Sequence, residues 1–222
     1  EDMKTIGSTI IMLALASSLF ADNGKELKLA SPDGTHEIVF YQKQVSPAVN
    51  ELCYRVDYKS QPVVNESRAG LELDNRIWEM ALGVRNLKQP ACWMDNLEVD
   101  SVTYQPETNL TWQPLYGERS SVRDHYRAGT LCLSKKDNSG YRLNIEVRAY
   151  NEGVAFRYFF PEHPKAIFHK VVGDLTEYAL PAGTKAWTEQ WAQAFFERLN
   201  IDDIKHPVER ALTFELPNGK WA

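Results

Sequence analysis

The chain has 222 residues, 43% hydrophobic and 25% charged, with a formal net charge of −5 and a pI near 5.6. These values suit a soluble globular protein of one large or two small domains, and all-β folds often reach this length as a single unit. No run of Lys and Arg interleaves with the aromatics, so the basic footprint of a nucleic-acid binder is excluded.

The first 21 residues read as a secretory signal peptide. Met3-Lys4 supplies the positive start, Ile10 to Ala16 the apolar core, and Ser17 to Ala21 a stretch ending in a small residue. The apolar run is too short to span a membrane. The protein is therefore expected to be exported, with the periplasm as its destination, and residues 22–222 to form one domain. Cys53, Cys92 and Cys132 cannot all pair, and their spacing matches no zinc motif. Cys53 and Cys132 lie in strand-like runs, where a free thiol serves as a small buried hydrophobe.

Beyond the signal the pattern is β almost throughout. Glu26–Ala30 and His36–Tyr41 flank Ser31-Pro-Asp-Gly34, whose Pro and Gly suit a type I turn, so a hairpin is expected. Leu52, Tyr54, Val56 and Tyr58 alternate with Cys53, Arg55 and Asp57, the period of a half-buried strand. Gly70 to Leu73 is a short strand candidate, residues 78–84 are ambiguous, and residues 96–104 lack clean periodicity.

Trp112 to Tyr126 gathers aromatics, Pro114, Gly117, four charged residues and His125. It is too irregular for a plain strand or helix. Two readings fit it: a buried polar corner joining two sheets, in which Glu118, Arg119, Arg123 and Asp124 pair among themselves, or a wall of a sugar site. Thr130–Leu133, Tyr141–Tyr150 and Val154–Phe160 then form a meander of antiparallel strands with one wet face. Residues 168–180 are expected to be another strand pair. Trp187 to Leu199 alone has helical spacing, through Trp187, Trp191, Ala194 and Phe195. Ala211 to Leu216 alternates, and Pro217-Asn-Gly219 turns the chain back, so it stops inside a hairpin.

With these residues in view, the chain resembles the N-terminal domain of glycoside hydrolase family 97, a family of exported α-glucosidases and α-galactosidases. The matching stretches are Ser31–Gly34, Tyr58–Val63, Trp112–Glu118 with Val122–Tyr126, Arg148–Tyr158, Trp187, Phe196-Glu197 and Leu212–Gly219. They run in family order across nearly all of residues 22–222. The resemblance implies an all-β fold, an antiparallel β-super-sandwich of the galactose-mutarotase type. It also implies a catalytic (β/α)₈ barrel that follows this domain, binds the glycoside substrate and carries the catalytic carboxylates, so that this chain is expected to be inactive alone.

The resemblance further implies that Glu197 reaches the barrel's mouth as one ligand of a calcium ion, the others coming from the barrel. The family's aromatic before that Glu is Tyr, where this chain has Phe196. No role transfers to Asp202 or Asp203. Glycoside hydrolysis needs two carboxyl groups facing one bond, and Glu118, Asp124, Glu152 and Glu177 form no convincing pair. Two other classes remain as alternatives: a free-standing carbohydrate-binding module, which would retain glycan unaided, and an aldose mutarotase, which would epimerise free sugar without calcium.

Overall fold

The computed structural model describes residues 25–47, 49–73, 97–136, 140–162 and 169–222. The signal segment, residues 78–84, Cys92 and His163 lie outside them.

Two four-stranded antiparallel sheets form the body. The first has the order β1 (Glu26–Ala30), β2 (His36–Ser46), β3 (Val49–Tyr58), β4 (Gln61–Arg68). After the short β5 (Leu71–Leu73), the second has the order β6 (Leu97–Trp112), β7 (Val122–Lys135), β8 (Arg142–Tyr150), β9 (Gly153–Phe159). Strand neighbours are sequence neighbours, as tight turns demand. Gly34, at φ 73°, donates to Ser31 O at 2.9 Å and closes the first turn. Lys59 and Ser60, at φ 49° and 61°, make a two-residue hairpin of the type whose twist matches that of the strands.

The period of two puts alternate residues between the sheets. Leu27, Ile38, Phe40, Leu52 and Tyr54 from the first meet Leu131, Leu133, Leu143 and Ile145 from the second, all fully buried. Phe40, Tyr54 and Phe156 form the aromatic centre, with ring centroids 5.1–5.3 Å apart. Each such side chain contributes roughly 1.5–3 kcal/mol by leaving water. The fold is thus all-β and sandwich-like, as expected. Cys53 is free and buried, and burial pushes its thiol up to about 11; Cys132 is free and half-buried.

β6 carries two irregularities. Val99 and Ser101 oppose Leu133 and Cys132, while Gln105 and Thr108 oppose Ala128 and Tyr126. Each places one extra residue on β6, the second beside Pro106, a residue that sheets tolerate at bulges. Past that bulge the β6–β7 hairpin continues as an arm to Trp112 and Val122. Glu107 anchors its base, with His125 Nε2 at 2.7 Å and Arg127 Nε donating at 2.9 Å.

Three sequence expectations change here. The Trp112–Tyr126 stretch is not a buried corner: regular pairing extends to Trp112 and Val122, and only residues 113–121 are irregular, at an exposed tip where Leu115 and Tyr116 stand in solvent. Among the described residues Glu118, Arg119, Arg123 and Asp124 do not pair; Arg123 Nε donates to Asn109 Oδ1 at 3.0 Å instead. Within residues 168–180, the described part forms one strand, β10 (Val171–Asp174), which pairs with β5 rather than with a local partner. Beyond β10 the chain runs along β4 and β5. Leu175, Glu177 and Asn65 donate to Gly70 O, Arg68 O and Ala179 O, and Tyr54 Oη donates to Glu177 O at 2.6 Å.

The helical spacing at 187–199 yields no α-helix. The segment is a hairpin, β11 (Lys185–Thr188) and β12 (Glu197–Asn200), joined by residues 189–196. Trp191 and Phe195 are exposed, so the spacing marks no buried face. A 3-10 turn, Ile201–Asp203, follows, and β13 (Thr213–Glu215) completes the order β12-β11-β13. Phe214 and Ala222 exchange backbone hydrogen bonds of 2.8 and 2.9 Å, the returning hairpin expected from Pro217–Gly219.

Candidate functional site

Glu197 opens β12, held opposite Thr188 in the ladder, and Thr188 Oγ1 donates to its carbonyl at 3.2 Å. The next residue is locked from the other side. Arg198 pairs with Glu215 and lies 4.8 Å over the Trp187 ring, which packs at 4.5 Å on Trp221. A rigid three-stranded sheet therefore fixes the backbone at Glu197. Its side chain is exposed, and among the described residues no cation or donor takes its carboxylate.

The connecting loop turns at Gln193, φ 78°, with Ala194 N donating to Trp191 O at 2.9 Å. That turn throws Trp191, Phe195 and Phe196 outward, at 57%, 92% and 69% exposure. Glu209 N donates to Glu189 O at 2.8 Å and holds the segment after Ile204 against the hairpin. Between the two lies a hollow of about 320 Å³, lined among others by Gln190, Trp191, Phe195, Glu197, Lys205 and His206.

Calcium takes about 6–8 oxygen ligands. Among the described residues no three of His, Cys, Asp and Glu stand close enough to hold a metal. Asp203 is engaged by Asn200 Nδ2 at 2.9 Å. An uncommitted outward carboxylate fits one donated ligand and does not fit a self-sufficient centre.

A larger cleft, about 1040 Å³, opens beside β3, β4 and β9 and reaches Asp174–Tyr178 and the C-terminal hairpin. Its polar groups are largely committed. Asp174 Oδ1 accepts from Thr176 N and Oγ1 at 3.0 and 2.6 Å, and Tyr158 Oη lies 2.6 Å from Thr176 Oγ1. Burial pushes the Tyr158 phenol up to about 12.

Of the carboxylates weighed as catalysts, Glu177 is held by Arg68, whose hydrogen bond keeps it below the usual carboxylate range and makes it a poor proton donor. Glu152 lines the large cleft, Glu118 stands at the arm's tip and Asp124 on its shaft. Four different places hold them, and no acid–base pair results. Lys205 and His206 escaped sequence reasoning because their loop has no periodicity.

Two facing meanders, with a third sheet presenting an uncommitted carboxylate and bare rings, define an all-β sandwich domain with an outward-facing corner. The family described as Glycosyl-hydrolase 97 N-terminal matches residues 29–222, and the chain belongs to it. A retaining α-galactosidase of Bacteroides thetaiotaomicron is 26% identical over 178 residues, 80% of this chain and 22% of that protein. A glycoside hydrolase family 97 enzyme of Pseudoalteromonas sp. strain K8, solved with panose, shares the fold with a TM-score of 0.72 at 24% identity. That match covers 87% of this chain and 27% of that one. A β-arabinopyranosidase aligns with a TM-score of 0.67 at 17% identity, over 88% of this chain and 30% of its own. The chain thus spans between a fifth and a third of these relatives.

Proposed function

We propose that this chain is the N-terminal accessory, carbohydrate-binding domain of an exported, periplasmic α-glycosidase of α-glucosidase or α-galactosidase type that depends on calcium. It packs on a catalytic (β/α)₈ barrel, closes one side of the sugar pocket and offers Glu197 to the calcium ion. Hydrolysis itself needs two facing carboxyl groups, and the four carboxylates weighed for it, Glu118, Asp124, Glu152 and Glu177, stand in separate places, so this reading assigns the catalytic pair to the barrel.

The observation that carries this reading is the corner at Glu197, where exposed Trp191 and Phe195 line one hollow with a carboxylate that has no partner among the described residues, and the exposed Phe196 precedes it in the chain. Bare aromatic surface of this kind marks an interaction site. Calcium, when bound there, supplies positive charge at the pocket. Glu197 supplies oxygen and negative charge from a backbone position fixed by β11.

The test is Glu197→Gln in the polypeptide that includes the barrel. The variant should need at least roughly tenfold more calcium for half-maximal hydrolysis of an aryl α-glycoside, the scale on which metal sites respond to lost support. The 222-residue chain alone should release no aryl alcohol. An unchanged calcium requirement in the variant would remove Glu197 from the metal site.

A further inference from the structure

We infer that the hollow beside Glu197 is a single-hexose subsite, with Trp191 as its stacking platform and Gln190, Gln193 and Lys205 as hydroxyl partners. The sugar class rests on the function proposed above; the location rests on the geometry of residues 188–208.

Size selects the ligand. A hollow of about 320 Å³ stands at the small end of ligand pockets, about 300–1,000 Å³. It admits one sugar ring rather than a length of glycan. Charge selects further. The lining holds one carboxylate, Glu197, one ammonium, Lys205, and His206, a near balance of charge that gives a strong anion no dedicated site. A neutral ligand rich in hydroxyls meets that balance.

The walls match the two sides of a pyranose. Trp191, Phe195, Leu199, Ile204 and Val208 offer apolar surface to its C–H face. Gln190 and Gln193 each offer an amide donor and acceptor, and Lys205 offers three donors. Trp191 is more than half exposed, so it contributes little to the domain's own core and is free to stack. In the larger cleft, Tyr54, Tyr158, Asp174 and Thr176 already spend their polar atoms on one another and on the backbone.

The experiment titrates the 222-residue chain, with no barrel present, with methyl α-D-glucopyranoside and methyl α-D-galactopyranoside. Saturation-transfer NMR reads ligand contact, and amide shifts in an isotope-labelled chain read its location. At least one glycoside should saturate in the millimolar range and shift amides within residues 188–208. Trp191→Ala should weaken binding roughly tenfold, the scale of a lost aromatic contact, and Trp191→Phe should fall between. Trp112→Ala, at the exposed arm, should change nothing.

No saturation by either glycoside at 100-fold above about 1 mM, shifts confined to another part of the chain, or equal losses in the Trp191 and Trp112 variants would overturn the inference. Hexose binding at Trp191 with an unchanged calcium requirement in the Glu197 variant would leave this site standing and sink the metal role alone.

Discussion

Tyr54→Phe removes one atom and isolates one interaction. The Tyr54 ring is 1% exposed, between Phe40 and Phe156, and its hydroxyl donates to Glu177 O at 2.6 Å. That bond straps residues 175–180 to β3. Phe keeps the ring, so no cavity of consequence opens and the cost of a large-to-small change does not apply. What is lost is a hydrogen bond of about 1 kcal/mol net, plus part of the roughly 1–3 kcal/mol needed to leave the Glu177 carbonyl unsatisfied. The strap lies near solvent, where water can reach that carbonyl, so a total of about 1–2 kcal/mol is expected. At roughly 2–4 °C per kcal/mol for a domain of this size, Tm should fall by about 2–8 °C. Urea unfolding followed by tryptophan fluorescence should show a lower midpoint with an unchanged slope. Tyr178→Phe, on an exposed ring, is the control and should stay within about 0.5 kcal/mol. A loss below about 0.5 kcal/mol in Tyr54→Phe would show that the strap is held by other contacts. A loss above about 4 kcal/mol would mean that the core repacks, since no single hydrogen bond is worth that much.

Asp33 accepts from Ser31 Oγ, Thr35 N and Thr35 Oγ1, and the first of these does most to lower its carboxyl to about 2. A carboxyl depressed in the folded state stabilises above its ordinary range, and that contribution is lost as pH falls from about 4 to 2. Asp33→Asn should therefore flatten part of the loss in Tm between pH 5.5 and 2.5; an identical pH profile would refute the role. Ser60 has φ 61° in the β3–β4 hairpin, where L side chains are strained. Ser60→Gly should raise stability by about 0.5–1 kcal/mol in urea unfolding, the reverse of the usual penalty for glycine. A destabilised variant would show that the turn is not the strained element.

Much of the fold was legible because its signals are local. The turn at Ser31–Gly34, the alternation of β3 and the meander of β8 and β9 depend on neighbours a few residues apart. The β5–β10 pairing was not legible, because it joins segments about a hundred residues apart through three-residue and four-residue strands too short to carry a pattern. Trp112–Tyr126 hid two strand ends because the β6 bulges break the period of two and the charged tip dominates the composition. Trp187 to Phe195 misled for a different reason: i,i+4 aromatics look like a helix face whether or not anything covers them. At the candidate site, Glu197 was reachable through family resemblance alone. The hollow around it is assembled from two loops, and loops leave no periodic trace.

The bulge at Gln105–Thr108 has a consequence for how such a domain can change. Regular pairing runs on both sides of it, so removing one residue there would straighten the ladder while every side chain outside the bulge kept its face. The loss of a single codon could thus re-aim the arm, with Leu110, Trp112 and Tyr116 upon it, and leave the packed layer of Leu131, Leu133 and Ile145 untouched. The bulge is a joint between an invariant chassis and a steerable tip, set where its angle can be revised without renegotiating the interior.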